Sequence, residues 1–121
     1  MKVLGLTWLG LRTAEFEKTA GLLRDIMGLE VIRDDPTTAG FRLNATTSME
    51  VYRLEDTDHA FFTTGPVVAF LVDDAELARA QLEGAGIEFI GDMQRSATAN
   101  WNHFRLPDGT ICEILSQHPS E

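Results

Sequence analysis

The 121 residues carry 19 acidic against 10 basic side chains, a formal net charge of −9, with 44% hydrophobic and 24% charged residues. That acidity excludes a nucleic-acid or anionic-membrane partner, since either would repel the chain. The composition is that of a soluble globular domain able to hide about two-thirds of its unfolded surface. A single Cys112 rules out an internal disulfide and fits a reducing, cytoplasmic setting. No run is long and apolar enough to span a bilayer, and the opening MKVLGLTWLGLRT reads as a strand rather than a signal peptide.

In chain order, residues 3–11 are strand-like. Thr13 caps a predicted helix to about residue 27, with Glu15 and Glu17 at its positive end and an apolar stripe of Phe16, Ala20, Leu23 and Met27. Gly28 suits the left-handed stop. Strands are expected over 29–33, 40–44 and 49–54, followed by a polar connector over 55–65. The order then repeats. A strand covers 67–72, and a helix starts at Asp73 with Glu76 placed for a capping box. That helix has a stripe of Ala75, Ala78, Leu82 and Ala85 and ends near Gly86. Strands follow over 87–90, 100–106 and 111–116, the last two joined by a Pro107-Asp108-Gly109 turn.

The second half copies the first. FRLNATTSMEV at Phe41 aligns without a gap on FRLPDGTICEI at Phe104, 63 residues later, and MGLEVIRD at Met27 aligns on AGIEFIGD at Ala85, 58 later. The expected fold is therefore α+β: two fused βαβββ modules, about residues 1–56 and 65–117, in one domain. Their strands form a curled mixed sheet around a central cavity, with helices on the outside. Period-two alternation puts Met49 and Val51, and likewise Cys112 and Ile114, toward the helices. Glu50, Tyr52 and Leu54, and in the second module Ile111, Glu113 and Leu115, take the opposite, cavity-lining face. On the strand before the last, His103 shares a face with Trp101 and Arg105, opposite Asn102, Phe104 and Leu106. Alternation alone does not say which set faces inward.

This pattern resembles the vicinal oxygen chelate superfamily, which includes glyoxalase I, extradiol dioxygenases, fosfomycin resistance enzymes and bleomycin-binding proteins. LPDGTICEIL looks like that family's final hairpin ending in a metal-binding glutamate, LLRDIMGLEVIRD like its first helix and second strand, and VVAFLVDDAELARAQLEGAGIEF like the start of its second module. In metal-using members each module gives one ligand from its first strand and one from its last. Carried over, the last-strand positions are Glu50 and Glu113. The first-strand positions are Trp8 and Val67, neither of which binds metal. Two carboxylates without an imidazole make a thin site for a transition metal. The resemblance thus implies the fold, no resident cofactor, and a homodimer. If a divalent metal were used, Glu50 and Glu113 would be its ligands.

The residues themselves carry open alternatives. Glu50 and Glu113 are either solvated carboxylates paired with Arg42, Arg53 or Arg105, or ligand contacts in the cavity. Trp8 is core or an aromatic face for a planar or cationic ligand. Val67 makes its part of the cavity apolar, and Tyr52 is a structural hydroxyl or a ligand contact. His103 is an ordinary strand histidine or, if it faces inward, the general acid/base candidate. His59 and His118 read as solvated, and Cys112 as a small buried hydrophobe. Two functions compete. One is metal-free binding of a small, partly apolar molecule, cationic or neutral. The other is a metal-dependent lyase or dioxygenase acting on a vicinal-oxygen substrate.

Overall fold

The alternating runs form eight strands and the stripes form helices, in an α+β chain whose computed structural model describes residues 1–118. In order these are β1 (Val3–Arg12), α1 (Phe16–Gly21), a π-helical turn (Leu22–Ile26), β2 (Glu30–Asp35), β3 (Thr38–Arg42) and β4 (Ser48–Tyr52). Then come β5 (Val67–Val72), α2 (Ala75–Gly84), β6 (Phe89–Arg95), β7 (Ala99–Arg105) and β8 (Ile111–Gln117). Two compact units emerge: Trp8–Val67, and Met1–Thr7 together with the chain from Val68 onward.

In the Trp8–Val67 unit the strand order is β2-β3-β4-β1, with β1 parallel to β4 and the other pairs antiparallel. One face of this sheet packs on the helix: Phe16, Ala20 and Leu23 meet Ala39, Phe41, Met49 and Val51, with Leu9, Leu11 and Leu29 at the margin. Full burial of side chains such as Phe41 and Val51 contributes about 1.5–3 kcal/mol each. The helix differs from the single element predicted over 13–27. The Thr13 hydroxyl accepts the Glu15 N–H at 3.0 Å, and helix proper begins only at Phe16. Its last turn then widens, with the Met27 N–H reaching the Leu22 carbonyl five residues back at 2.9 Å. The extra residue rotates Met27 out of the stripe and leaves it 59% exposed. Gly28, at φ +69°, ends the element as expected.

In the other unit the order is β5-β8-β7-β6, with β5 parallel to β8. Its core sets Ala75 and Ala78 of α2 against Val72, Phe104, Cys112 and Ile114. The N-cap is Asp74 rather than Asp73, its carboxylate accepting the Leu77 N–H at 3.0 Å. Asp73 instead accepts the Lys2 N–H at 2.9 Å and returns its own N–H to the Lys2 carbonyl at 3.1 Å, tying the start of the chain to this unit. That backbone hydrogen bond from Lys2 holds the Asp73 carboxyl below its ordinary range. Glu76, expected in a capping box, pairs with Arg95. The helix stops at Gly84, so Ala85 lies exposed beyond the stripe.

β6 is longer than the strand predicted over 87–90 because it continues through a register shift between Ile90 and Gln94. Asn102, 1% exposed, makes that shift tolerable. Its amide donates to the carbonyls of Ile90, Gly91 and Asp92 at 3.3–3.4 Å, and its oxygen accepts Arg79 of α2 at 2.6 Å. Truncation by Asn102→Ala removes a buried hub and is expected to cost about 1–3 kcal/mol. The measurement is urea unfolding, with a lower midpoint at unchanged slope.

Candidate functional site

Glu50 stands on the helix-free face of β4, as alternation predicts, and register puts a glycine on each side of it. Gly10 of β1 and Gly40 of β3 are its cross-strand partners, and Arg33 of β2 partners Gly40. The row across the sheet is Arg33–Gly40–Glu50–Gly10. The missing side chains leave room for their neighbours. A Cβ on Gly10 would lie 2.0 Å from the Trp8 ring, and one on Gly40 would lie 2.8 Å from the Arg33 Cβ. Trp8 therefore lies over Gly10 and Arg33 passes over Gly40, and both reach the carboxylate. Trp8 Nε1 donates to Glu50 Oε1 at 3.1 Å, the Tyr52 hydroxyl donates to the same oxygen at 3.1 Å, and Arg33 Nη1 donates to Oε2 at 2.7 Å. Arg33 also donates through Nε to Asp35 Oδ2 at 2.7 Å. Partial burial lowers the proton affinity of Arg33, but the bonds to Asp35 and Glu50 more than offset this and raise it overall.

Arg33 was not among the partners expected for the glutamates. Arg53 shares the helix-facing side with Met49 and Val51, so it goes to Glu17 and stacks 4.0 Å over Phe16. Arg105 donates to the Gly109 carbonyl at 3.2 Å. An interior strand glycine signals close approach of another group, so Gly10 and Gly40 were the available clue to the Glu50 arrangement.

The connector after β4 also contributes. His59 was expected in solvent, yet it stacks on Tyr52 with ring centroids 3.8 Å apart and 13° between planes. Phe62 is 5% exposed and meets Trp8, Tyr52 and His59 edge-on at 6.1, 6.0 and 5.1 Å. The segment is pinned by Asp56, whose carboxylate accepts the N–H groups of Asp58 and His59 and lies 3.0 Å from His59 Nδ1. Burial pushes the Asp56 carboxyl up, but the hydrogen bonds and charge of His59 outweigh it, and its pKa is lowered. Trp8 and Glu50 keep partial exposure, with 22% of the Glu50 side chain open. Val67 is fully buried.

In the second unit His103 and Glu113 are cross-strand partners on the helix-free face, which settles the side that alternation left open. His103 Nε2 lies 3.4 Å from Glu113 Oε1, and the residues are 9% and 5% exposed. An imidazole beside a carboxylate is a pair that can hold and pass a proton. Cys112 lies on the other face, and burial raises its thiol pKa, so it is a protonated packing group. His118 is exposed.

Two units, each a helix on one face of a four-strand mixed sheet with an acidic residue on the other face of its last strand, define the vicinal oxygen chelate fold. Solved structures carry it. The Mn(II)-bound glyoxalase from Novosphingobium aromaticivorans matches with a TM-score of 0.76 at 20% identity, over 99% of this chain and 42% of that one. Methylmalonyl-CoA epimerase from Mycobacterium tuberculosis matches at 0.72 and 16% identity, over 97% and 90%. A glyoxalase/bleomycin resistance protein/dioxygenase superfamily member from Vibrio splendidus 12B01 matches at 0.67 and 15%, over 89% and 95%. Likeness at these identities concerns the fold and not the chemistry. No family model and no curated protein matches the sequence.

The metal that the fold family implies does not suit the donors present. The Trp8 and Val67 side chains offer no ligand atom, and Glu50 has no imidazole or carboxylate as its cross-strand partner, only Gly10 and Gly40. Among the described residues no three His, Cys, Asp or Glu side chains come together as a metal centre would need.

Two expectations follow. Gly10→Ala drives a methyl into the Trp8 ring, so it is expected to destabilise by about 1–3 kcal/mol and to shift tryptophan emission to the red as the indole leaves Glu50. Asp56 has a lowered pKa, so its contribution is present at neutral pH and is lost as pH falls below about 4, where the unfolded carboxyl takes its proton. Urea midpoints between pH 7 and pH 3 are therefore expected to fall less steeply in Asp56→Asn than in the parent, from a lower starting value.

Proposed function

We propose that the protein binds a small, partly apolar molecule on the helix-free side of its sheets without using a metal. The supporting observation is the way Glu50 is held. An indole N–H and a phenol, set in an aromatic cluster, hold one oxygen of a partly exposed carboxylate. Such a group recognises a ligand donor, and the rings around it offer apolar surface to the ligand body. Trp8, Glu50 and Tyr52 are the primary contacts in this reading. Val67 is buried behind that face, and His103 with Glu113 is a separate polar pair in the other unit. Lyase or dioxygenase chemistry through a metal is disfavoured by the donor set rather than by the fold.

The test uses the two tryptophans. Trp101→Phe leaves Trp8 as the sole indole, and titration with a panel of aromatic amines, amides and acids is followed by its emission. Saturable quenching by at least one class, unchanged by prior dialysis against a chelator, is expected. A flat response across the panel, or binding that needs stoichiometric added metal, defeats the reading.

A further inference from the structure

The two oxygens of Glu50 are held in different ways. Oε1 receives two donors from within the unit, Trp8 and Tyr52, and Tyr52 is 1% exposed beneath the His59 ring. Among the described residues, Oε2 receives Arg33 alone. The Arg33 side chain is 51% exposed and comes from β2, at the end of its unit's strand order. Moreover, Arg33 has a second seat: its Nε is already 2.7 Å from Asp35 Oδ2. If Arg33 leaves Glu50 it remains paired and in contact with water. Half-exposed ion pairs are weak, so release is cheap. The carboxylate left behind stays oriented by its two inner donors beside the Trp8 ring. One guanidinium against Glu50 and Asp35 also leaves the group with a net negative charge, which favours a cation over an anion.

Resting on the binding reading above, we infer that Arg33 is a displaceable stand-in for the ligand's own polar head. The ligand class is an organic cation bearing N–H donors, an amidinium, guanidinium or primary ammonium, attached to an apolar or aromatic body. Its head takes the place of Arg33 Nη1 on Glu50 Oε2, while Arg33 swings to Asp35. Arg33 thereby sets specificity. A quaternary ammonium has no N–H to give Oε2, and an anion finds the oxygen pair facing it.

Calorimetric titration of the full chain with benzamidine, benzyltrimethylammonium and benzoate tests this on the parent and on Arg33→Gln, Asp35→Asn and Glu50→Gln, each checked for its melting transition. Benzamidine is expected to bind Arg33→Gln about twofold to fivefold more tightly than the parent, the range set by one partly exposed ion pair. It is expected to bind Asp35→Asn more weakly, because the second seat is lost, and Glu50→Gln about tenfold more weakly or worse. The other two probes are expected to gain nothing from Arg33→Gln. If benzamidine binds the parent but binds Arg33→Gln equally or less tightly, or if benzoate binds the parent and is lost with Arg33→Gln, this inference fails while small-molecule binding stands. If no probe binds any variant saturably, this inference fails, and the tryptophan-emission panel decides the binding reading by itself. Should Arg33→Gln not fold, the Asp35→Asn comparison decides: equal or tighter benzamidine binding overturns the inference.

Discussion

A carboxylate largely withdrawn from water must be held by donors, because an unpaired buried charge is among the costliest groups a fold can carry. In the first unit three donors converge on Glu50, and each depends on the sheet being built as it is. The β1–β4 and β3–β4 registers place glycines on both flanks, the indole and the guanidinium fill the space over them, and period-two alternation brings Tyr52 to the same face. A slip of one residue in either ladder would send Glu50 into the helix-facing core of Met49 and Val51. The apolar face and the acidic face thus specify the same register from opposite sides.

The sequence disclosed the fold through its duplication. Once FRLNATTSMEV and FRLPDGTICEI were aligned, alternation assigned Met49, Val51, Cys112 and Ile114 to the helix side, where they lie buried. It failed where the decisive contact is not periodic. The helix stripe ended early because one five-residue hydrogen bond turned Met27 outward. Arg33 was missed because its path to Glu50 runs over Gly40, a relation visible only once the β2–β3 register, with its shift after Val31, is known. His59 and Phe62 were missed because a segment of mixed polarity reads as solvated, although two of its rings pack on Trp8 and Tyr52.

The duplication has also diverged at the level of chemistry. Glu50 and Glu113 stand 63 residues apart at equivalent points, but Gly40 occupies the place that His103 holds in the second copy. One carboxylate is therefore served by an arginine passing over a gap, and the other lies beside an imidazole on the next strand. The fold is shared with a glyoxalase and an epimerase, while the groups that would do chemistry are not laid out alike even in the two halves of this one chain.

The connector that lays His59 and Phe62 over Trp8 and Tyr52 joins β4 to β5 and belongs to neither strand. Segments of this kind accept insertion and replacement more readily than the ladders they link. The aromatic cover beside Glu50 is thus an exchangeable insert mounted on a fixed frame. Grafting a different loop there would reshape what the carboxylate can receive, without asking the eight strands to refold.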